Sequence, residues 1–166
     1  MTYKHLFSRA LSANPDRLHF AAHSHHLWPD ASFDGQTAAW EDAARMADLK
    51  WGHIMGPVWG EAQRHIAREL SLPDPSTIAF SPNTHDFLVR IFSAIPKRPV
   101  RVLATDGEFH SFRRQMARWV EAGEAILSTV SADKLTATAE ASDFDLIFAS
   151  HVLFNSGAII TDLERL

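Results

Sequence analysis

The pattern of apolar and polar positions predicts strands that alternate with helices through the second half of the chain. Short apolar runs predict four strands, over residues 77–80, Val100–Thr105, Ala125–Val130 and 145–150. Apolar residues at helical spacing predict helices over residues 83–95 and 111–122, and a short helix from Ser131. This alternation is typical of α/β folds, so we predict a three-layer domain in which a mostly parallel sheet has helices on its faces.

The first half of the chain has the pattern of helices alone. An apolar stripe predicts a helix over residues 33–50, and Pro57 is suited to open a second one. The proline-rich loop 72–75 ends that second helix, because each proline disfavours helix in the residue before it. We therefore expect an N-terminal helical segment over residues 1–75 and a sheet-containing domain over residues 76–166.

The last residues predict the start of one more helix. Thr161 and Glu164 have the spacing of a capping box, in which each side chain satisfies a backbone N–H group. The sequence stops at Leu166, within the first turn of this helix. The sheet-containing domain is therefore expected to be incomplete.

The composition is that of a globular protein, and it argues against nucleic-acid and membrane partners. Of its 166 residues, 46% are hydrophobic and 22% are charged. The net charge of -4 and the lack of a basic run argue against a nucleic-acid partner. The chain has no Cys, which excludes disulfides and thiolate chemistry. Because it also lacks a membrane-length apolar stretch and a signal-peptide pattern, we predict a soluble cytoplasmic protein without a membrane partner.

The first candidate site is the segment Ser81-Pro82-Asn83-Thr84, which lies between a predicted strand and a predicted helix. Ser81 or Asn83 can cap the helix, and free N–H groups at a helix start attract anions. With the Thr84 hydroxyl, these groups would form a phosphate cup. The alternative is an ordinary helix cap, which is the commoner use of these residues.

Two further candidates follow predicted strands. Phe109, in the segment 106–111, can stack on a flat heteroaromatic ligand. Asn155 and Ser156, in the segment 150–157, supply neutral hydrogen-bonding groups for a ligand. The alternatives are a phenylalanine that fills a packing gap and a polar turn. Because strands of a parallel sheet end at one edge, we expect Asn83, Thr84, Phe109 and Ser156 around one pocket.

A histidine cluster near the N-terminus is the fourth candidate. It comprises His19, His23, His25 and His26. Imidazole is a common metal ligand, but the nearby acidic residues do not complete a recognisable ligand set. We expect no metal site and favour a solvated loop or the rim of an active site.

Taken together, these segments resemble the class V aminotransferase superfamily of fold-type-I enzymes, which use pyridoxal 5′-phosphate. The segment HFAAHSHHLWP, residues 19–29, is similar to the N-terminal segment of the kynureninase-like branch. In that branch a serine, a leucine and a proline stand where this chain has Ser24, Leu27 and Pro29. The resemblance implies the large-domain fold of that class, a homodimer, and a small amino-acid substrate.

The resemblance also implies roles for individual residues. Asn83 and Thr84 lie where the family grips the cofactor phosphate, and Phe109 lies where kynureninases place a ring against the pyridine. Ser156 replaces a threonine beside the cofactor. Ser24 and His25 are expected to contact the substrate.

The chain also departs from the family pattern. His110-Ser111-Phe112 stands where kynureninases have Pro-Ser-Asp, so the resemblance does not extend to kynurenine hydrolysis. The family's aspartate for the pyridine nitrogen and its Schiff-base lysine have no counterpart here. The four lysines, which do not match the lysine motif, are Lys4, Lys50, Lys97 and Lys134.

These features indicate the N-terminal fragment of a pyridoxal-phosphate enzyme, inactive by itself. Two alternatives stay open. One is a metal-dependent hydrolase that uses His23, His25 and His26. The other is a non-catalytic remnant of the fold.

Overall fold

The computed structural model of the chain describes residues 2–22 and 25–166. The chain divides into two compact units, Met1–Ala79 and Phe80–Leu166. The sequence pattern placed the boundary four residues earlier, after residue 75.

The first unit is built from helices. Its α-helices are α1 (Ser8–Ser12), α2 (Asp30–Met46), α3 (Lys50–His53) and α4 (Trp59–Glu69). Short 3-10 helices cover Lys4–Phe7, Ala47–Leu49 and Pro75–Thr77, and a π-helical turn covers Ile54–Val58.

Two predicted helix bounds in this unit were wrong. The helix expected over residues 33–50 begins at Asp30 and ends at Met46, because Ala47 turns to a positive φ of 48°. Pro57 does not open a helix but lies inside the π-helical turn before α4. Proline has no N–H group, and a wide turn accommodates the missing hydrogen bond.

Polar contacts hold the N-terminal helices of this unit together. The Asp30 carboxylate accepts hydrogen bonds from the Ser8 N–H (3.0 Å), the Ser8 hydroxyl (2.5 Å) and the Arg9 N–H (2.9 Å). Hydrogen bonds from Ser8 and Arg9 hold the pKa of Asp30 below its usual value. One carboxylate thus joins the start of α2 to the start of α1. Among the described residues of the unit, Ala67 alone is fully buried.

The second unit has an α/β fold, as the sequence pattern predicted. Its strands are β1 (Val100–Thr105), β2 (Ala125–Val130) and β3 (Leu146–Phe148), and its α-helices are α5 (Thr84–Ala94), α6 (His110–Glu121) and α7 (Leu135–Ala141). The strands form one parallel sheet in the order β2-β1-β3. A 3-10 turn precedes α7, and another covers Leu163–Arg165 where the sequence predicted a helix start.

Both faces of β1 are covered, which makes this unit three-layered. Val100, Val102 and Ala104 pack with α5 and α6 in one core cluster. Leu103, between them in sequence, packs with Leu135 of α7 in a second cluster. Since side chains alternate across a strand, one strand supplies both cores.

The strand predicted over residues 77–80 was wrong. Thr77 ends the 3-10 helix Pro75–Thr77, and no strand is found at this segment in the described chain. Asp74 caps the turn by accepting from the Ser76 N–H at 2.9 Å. The Ile78 carbonyl accepts from the Gln63 side chain at 2.8 Å, so this backbone group is satisfied without a neighbouring strand.

The strand predicted over residues 145–150 is shorter than expected. Only Leu146–Phe148 pairs with β1. Just beyond it, the Ser150 N–H donates to the Glu108 carboxylate at 3.0 Å. A side chain thus replaces the strand partner. None of the helices in the described residues has the length and apolarity needed to cross a lipid bilayer.

Candidate functional site

The strand order of the second unit creates a crevice at one edge of its sheet. From β1 the chain crosses to β2 on one side, and it later returns to place β3 on the other side of β1. In parallel α/β sheets, ligands bind at such a reversal, at the carboxyl ends of the strands. The residues that follow β1 and β3 at this edge therefore form the candidate site.

Glu108 joins the two strand ends. This buried carboxylate accepts from the Thr105 hydroxyl at 2.7 Å. It also accepts from the N–H and the hydroxyl of Ser150, at 3.0 and 2.6 Å. Sequence reasoning singled out this loop for Phe109 and gave Glu108 no role. The only signal was a glutamate three residues after the end of a mostly apolar strand.

A cavity of about 160 Å³ lies at the same edge, and we call it the switch-point cavity. It is lined by Thr84, His85, Leu88, Phe109, Ser111, Phe112, Phe148 and Ser150. Phe112 and Phe148 stack with ring centroids 4.1 Å apart and form an apolar wall. The cavity thus combines aromatic rings with hydroxyl groups from the starts of two helices and the end of a strand.

Asn83, one of the two cap residues that the sequence allowed, caps α5. Its side-chain oxygen accepts from the Asp86 N–H at 3.0 Å, and its carbonyl accepts from the Phe87 N–H. Thr84 and His85 are the first two residues of α5, so their N–H groups have no partner within the helix. Two donors at the positive end of α5 are therefore available beside the Thr84 hydroxyl.

An acidic side chain already lies in the first turn of α5. Asp86 accepts from the Ser81 hydroxyl and from Arg90 Nε, the latter at 2.8 Å. These contacts, chiefly the one with Ser81, hold the pKa of Asp86 below its usual value. The Ser81 hydroxyl thus donates to Asp86 and is not free to bind an anion at the start of α5.

Phe109 is 38% exposed and borders the cavity. Its ring meets Phe154 edge-on, with centroids 5.0 Å apart, and lies 4.0 Å from the His110 ring. Phe154 belongs to the segment 150–157, so this segment and the segment 106–111 are in contact here. The structure thus brings Thr84 and Phe109 to one cavity.

Ser156 does not line this cavity. It lies at the exposed tip of a tight turn, where its hydroxyl accepts from the Ala158 N–H at 3.2 Å. Backbone bonds between Leu153 and Ala158, and between Gly157 and Leu153, close the turn. Its neighbour Asn155 is also exposed.

The N-terminal candidates belong to the unit Met1–Ala79. His25 is exposed, and its ring centroid lies 6.4 Å from that of Trp28. Ser24 and His23 lie outside the described residues. Nδ1 of His26 is 2.9 Å from the Leu27 carbonyl oxygen. Within residues 2–22 and 25–166, no three His, Cys, Asp or Glu side chains form a group that could hold a metal ion.

The best-anchored lysine lies at the other end of the sheet. Lys97 Nζ is 2.9 Å from Asp145 Oδ1, and Asp145 also accepts from the Arg101 N–H at 2.8 Å. Both contacts are at the amino ends of β1 and β3. A six-residue strand spans roughly 20 Å, which separates Lys97 from the switch-point cavity.

Comparison of the chain with protein-family models, with curated proteins and with solved structures gives no match. The geometry of the site and the resemblance to the class V aminotransferase superfamily are what point to a function.

Proposed function

We propose that the unit Phe80–Leu166 forms part of a pyridoxal 5′-phosphate site in an enzyme that acts on an amino acid. The observation that carries this proposal is the shared cavity of Thr84 and Phe109 at the reversal of strand order. In this proposal the unit is the first part of a fold-type-I large domain of the class V aminotransferase superfamily, kynureninase-like branch.

The donor set fits the phosphate and the ring of the cofactor. The free N–H groups of Thr84 and His85, with the Thr84 hydroxyl, would hold the phosphate at the positive end of α5. The partly exposed ring of Phe109 would pack on the pyridine. When bound, the cofactor supplies an electron sink, while these residues bind and orient it and Leu88, Phe112 and Phe148 exclude water.

No lysine of the described chain lines the switch-point cavity. Lys97 is paired with Asp145 at the opposite end of the sheet, and Lys134 lies in the 3-10 turn before α7. Covalent attachment requires a lysine amine aimed at the cofactor aldehyde. We therefore propose that this chain alone holds the cofactor without attaching it and does not turn over an amino acid.

The test is a titration of the full chain with pyridoxal 5′-phosphate, followed by cofactor absorbance and protein fluorescence. Thr84→Ala should weaken binding by about 1–3 kcal/mol, because it removes a hydrogen bond to a charged group. The matched control is Thr37→Ala, which removes an exposed helical hydroxyl of the other unit that donates to the Phe33 carbonyl. Equal affinity for the parent chain and Thr84→Ala would contradict the phosphate cup.

Borohydride reduction of the complex tests attachment. We expect scattered, substoichiometric labelling of the lysines by mass spectrometry. Stoichiometric labelling of a single lysine, together with turnover of any amino acid, would show that the chain is a complete enzyme.

The proposal includes a homodimer with shared sites. It is supported by the exposed aromatic side chains of the first unit, among them Trp40 and Trp51. Light scattering over a concentration series is the measurement, and a monodisperse monomer at high concentration would contradict it.

A further inference from the structure

A second concave surface lies beside the switch-point cavity, between α5 and α6. It encloses about 330 Å³ and is lined by His85, His110, Ser111, Arg114, Gln115 and Arg118, and we call it the α5–α6 groove. It shares His85 and Ser111 with the cavity, whereas Thr84 and Phe109 do not line it. The groove therefore adjoins the predicted phosphate cup at His85, while His110, Arg114, Gln115 and Arg118 belong to the groove alone.

The residues that line this groove all have polar or basic side chains, and the charged ones are positive. Arg114 and Arg118 are four residues apart on α6, which puts them on one face of the helix with His110. Arg114 has no ion-pair partner among the described residues, while Arg118 pairs with Glu121. No lining residue is acidic or aliphatic. This concentration of charge stands out in a chain whose net charge is -4.

The nearest acidic group of α5 does not cancel this charge. Asp86 is engaged by the Ser81 hydroxyl and by Arg90 Nε. It does not line the groove. No carboxylate lines the groove, so Arg114 is unpaired there, and Arg118 is partly balanced by Glu121 outside the lining.

We infer that the α5–α6 groove binds a doubly charged oxyanion of the phosphate type, carried by a small molecule. Guanidinium groups bind phosphate through two parallel N–H donors, and two such groups one helical turn apart match a dianion. Ser111 and Gln115 add neutral donors for the remaining oxygens. The absence of aliphatic residues from the lining disfavours an apolar ligand, and the small volume disfavours a polymer.

The experiment is an NMR titration of the full chain with inorganic phosphate at constant ionic strength. We expect saturable shifts of the Gln115 side-chain amide and of the first backbone amides of α6. The double variant Arg114→Gln/Arg118→Gln should lower phosphate affinity roughly tenfold, since each exposed charge pair contributes modestly. Both arginines are exposed, so the variant should keep the amide spectrum of the folded chain.

The matched control is Arg113→Gln, an exposed arginine next in sequence that does not line the groove. It should leave phosphate affinity unchanged. A loss in Arg113→Gln equal to that in each of the single variants Arg114→Gln and Arg118→Gln would overturn the proposal, because net charge alone would then explain binding.

A parallel titration with a dicarboxylate tests whether the groove prefers phosphate to carboxylate anions. Succinate should bind at least tenfold more weakly than phosphate, since its flat carboxylates use fewer of the donors. Equal binding of succinate would overturn the phosphate assignment. Phosphate shifts confined to Thr84 and insensitive to both arginine substitutions would overturn the groove while leaving the proposed cofactor site intact. Failure of pyridoxal 5′-phosphate to bind, with phosphate still bound in the groove, would contradict the proposed cofactor site and leave the groove as a separate phosphate site.

Discussion

The two units of the chain use apolar residues differently. In the unit Phe80–Leu166, apolar side chains fill two clusters on opposite faces of β1. The unit Met1–Ala79 holds four of the five tryptophans, yet its only fully buried described residue is Ala67. Trp28, Trp40 and Trp51 each expose more than half of their surface.

The difference lies in what the helices have to pack against. A sheet offers two flat faces, and α5, α6 and α7 lay their apolar stripes on them. The first unit has no sheet in its described residues. Its helices are joined in part by polar contacts, such as the hydrogen bonds from Ser8 and Arg9 to the Asp30 carboxylate. An apolar stripe thus predicts a helix in both units but predicts a core only in the second.

The largest expected effect is a core truncation in the second unit. Leu103 is fully buried between Leu135, Leu153 and Ile160. Leu103→Ala should lower the free energy of unfolding of this unit by about 2–5 kcal/mol, because it removes buried surface and leaves a cavity. Native-state hydrogen exchange of the β1 amides measures this change without assuming that both units unfold together.

Leu49→Ala is the matched substitution in the first unit. Leu49 is 84% exposed, so the free energy of unfolding should change by no more than about 0.5 kcal/mol. A loss comparable to that of Leu103→Ala would show that Leu49 is buried in solution and would break the comparison between the units.

A smaller effect is expected from Glu108, which joins the ends of β1 and β3. Glu108→Ala leaves the Ser150 N–H and two hydroxyls without their acceptor and should cost about 1–3 kcal/mol. Glu108→Gln keeps one acceptor oxygen and should cost less. Thermal unfolding of the three proteins compares them, and equal stability of all three would mean that water replaces the carboxylate.

Local patterns predicted most of the second unit. Period and capping signals located α5 with its Asn83 cap, and short apolar runs located β1 and β2. The segment 77–80 has the apolar composition of a strand, which can be read from the segment itself. A strand also needs a neighbouring strand to pair with, and composition does not show whether one is present. That segment instead lies beside Gln63, a contact that no local pattern indicates.

The candidate site was predictable only in part. Phe109 reaches the cavity because it follows β1 at this edge of the sheet, as the topology dictates, whereas Thr84 reaches it from the start of α5 with no strand before it. Ser156 also lies beyond a strand at that edge, but the Leu153–Ala158 turn carries it to an exposed tip. The roles of Glu108 and of the α5–α6 groove depend on side chains from distant segments meeting, which spacing along one segment cannot reveal.

The smallest expected effect concerns pH and tests the amino end of the same sheet. Hydrogen bonds from the Arg101 N–H and from Lys97 hold the pKa of Asp145 below its usual value. The ionised carboxylate therefore favours the folded unit. This contribution is complete above the pKa of the unfolded chain, about 4, and is lost as pH falls through the lower pKa of the folded unit.

Asp145→Asn should remove that part of the acid sensitivity. The urea midpoint of the second unit should fall less steeply below pH 4 in this variant than in the parent chain. Asp86 and Asp133 titrate in the same direction and stay in both proteins, so the difference between the two curves belongs to Asp145. Asp143→Asn is the control, because Asp143 is exposed and forms no ion pair within the described residues. Parallel curves for Asp145→Asn and the parent chain would show that the contact with Lys97 and Arg101 adds nothing to the stability of the sheet.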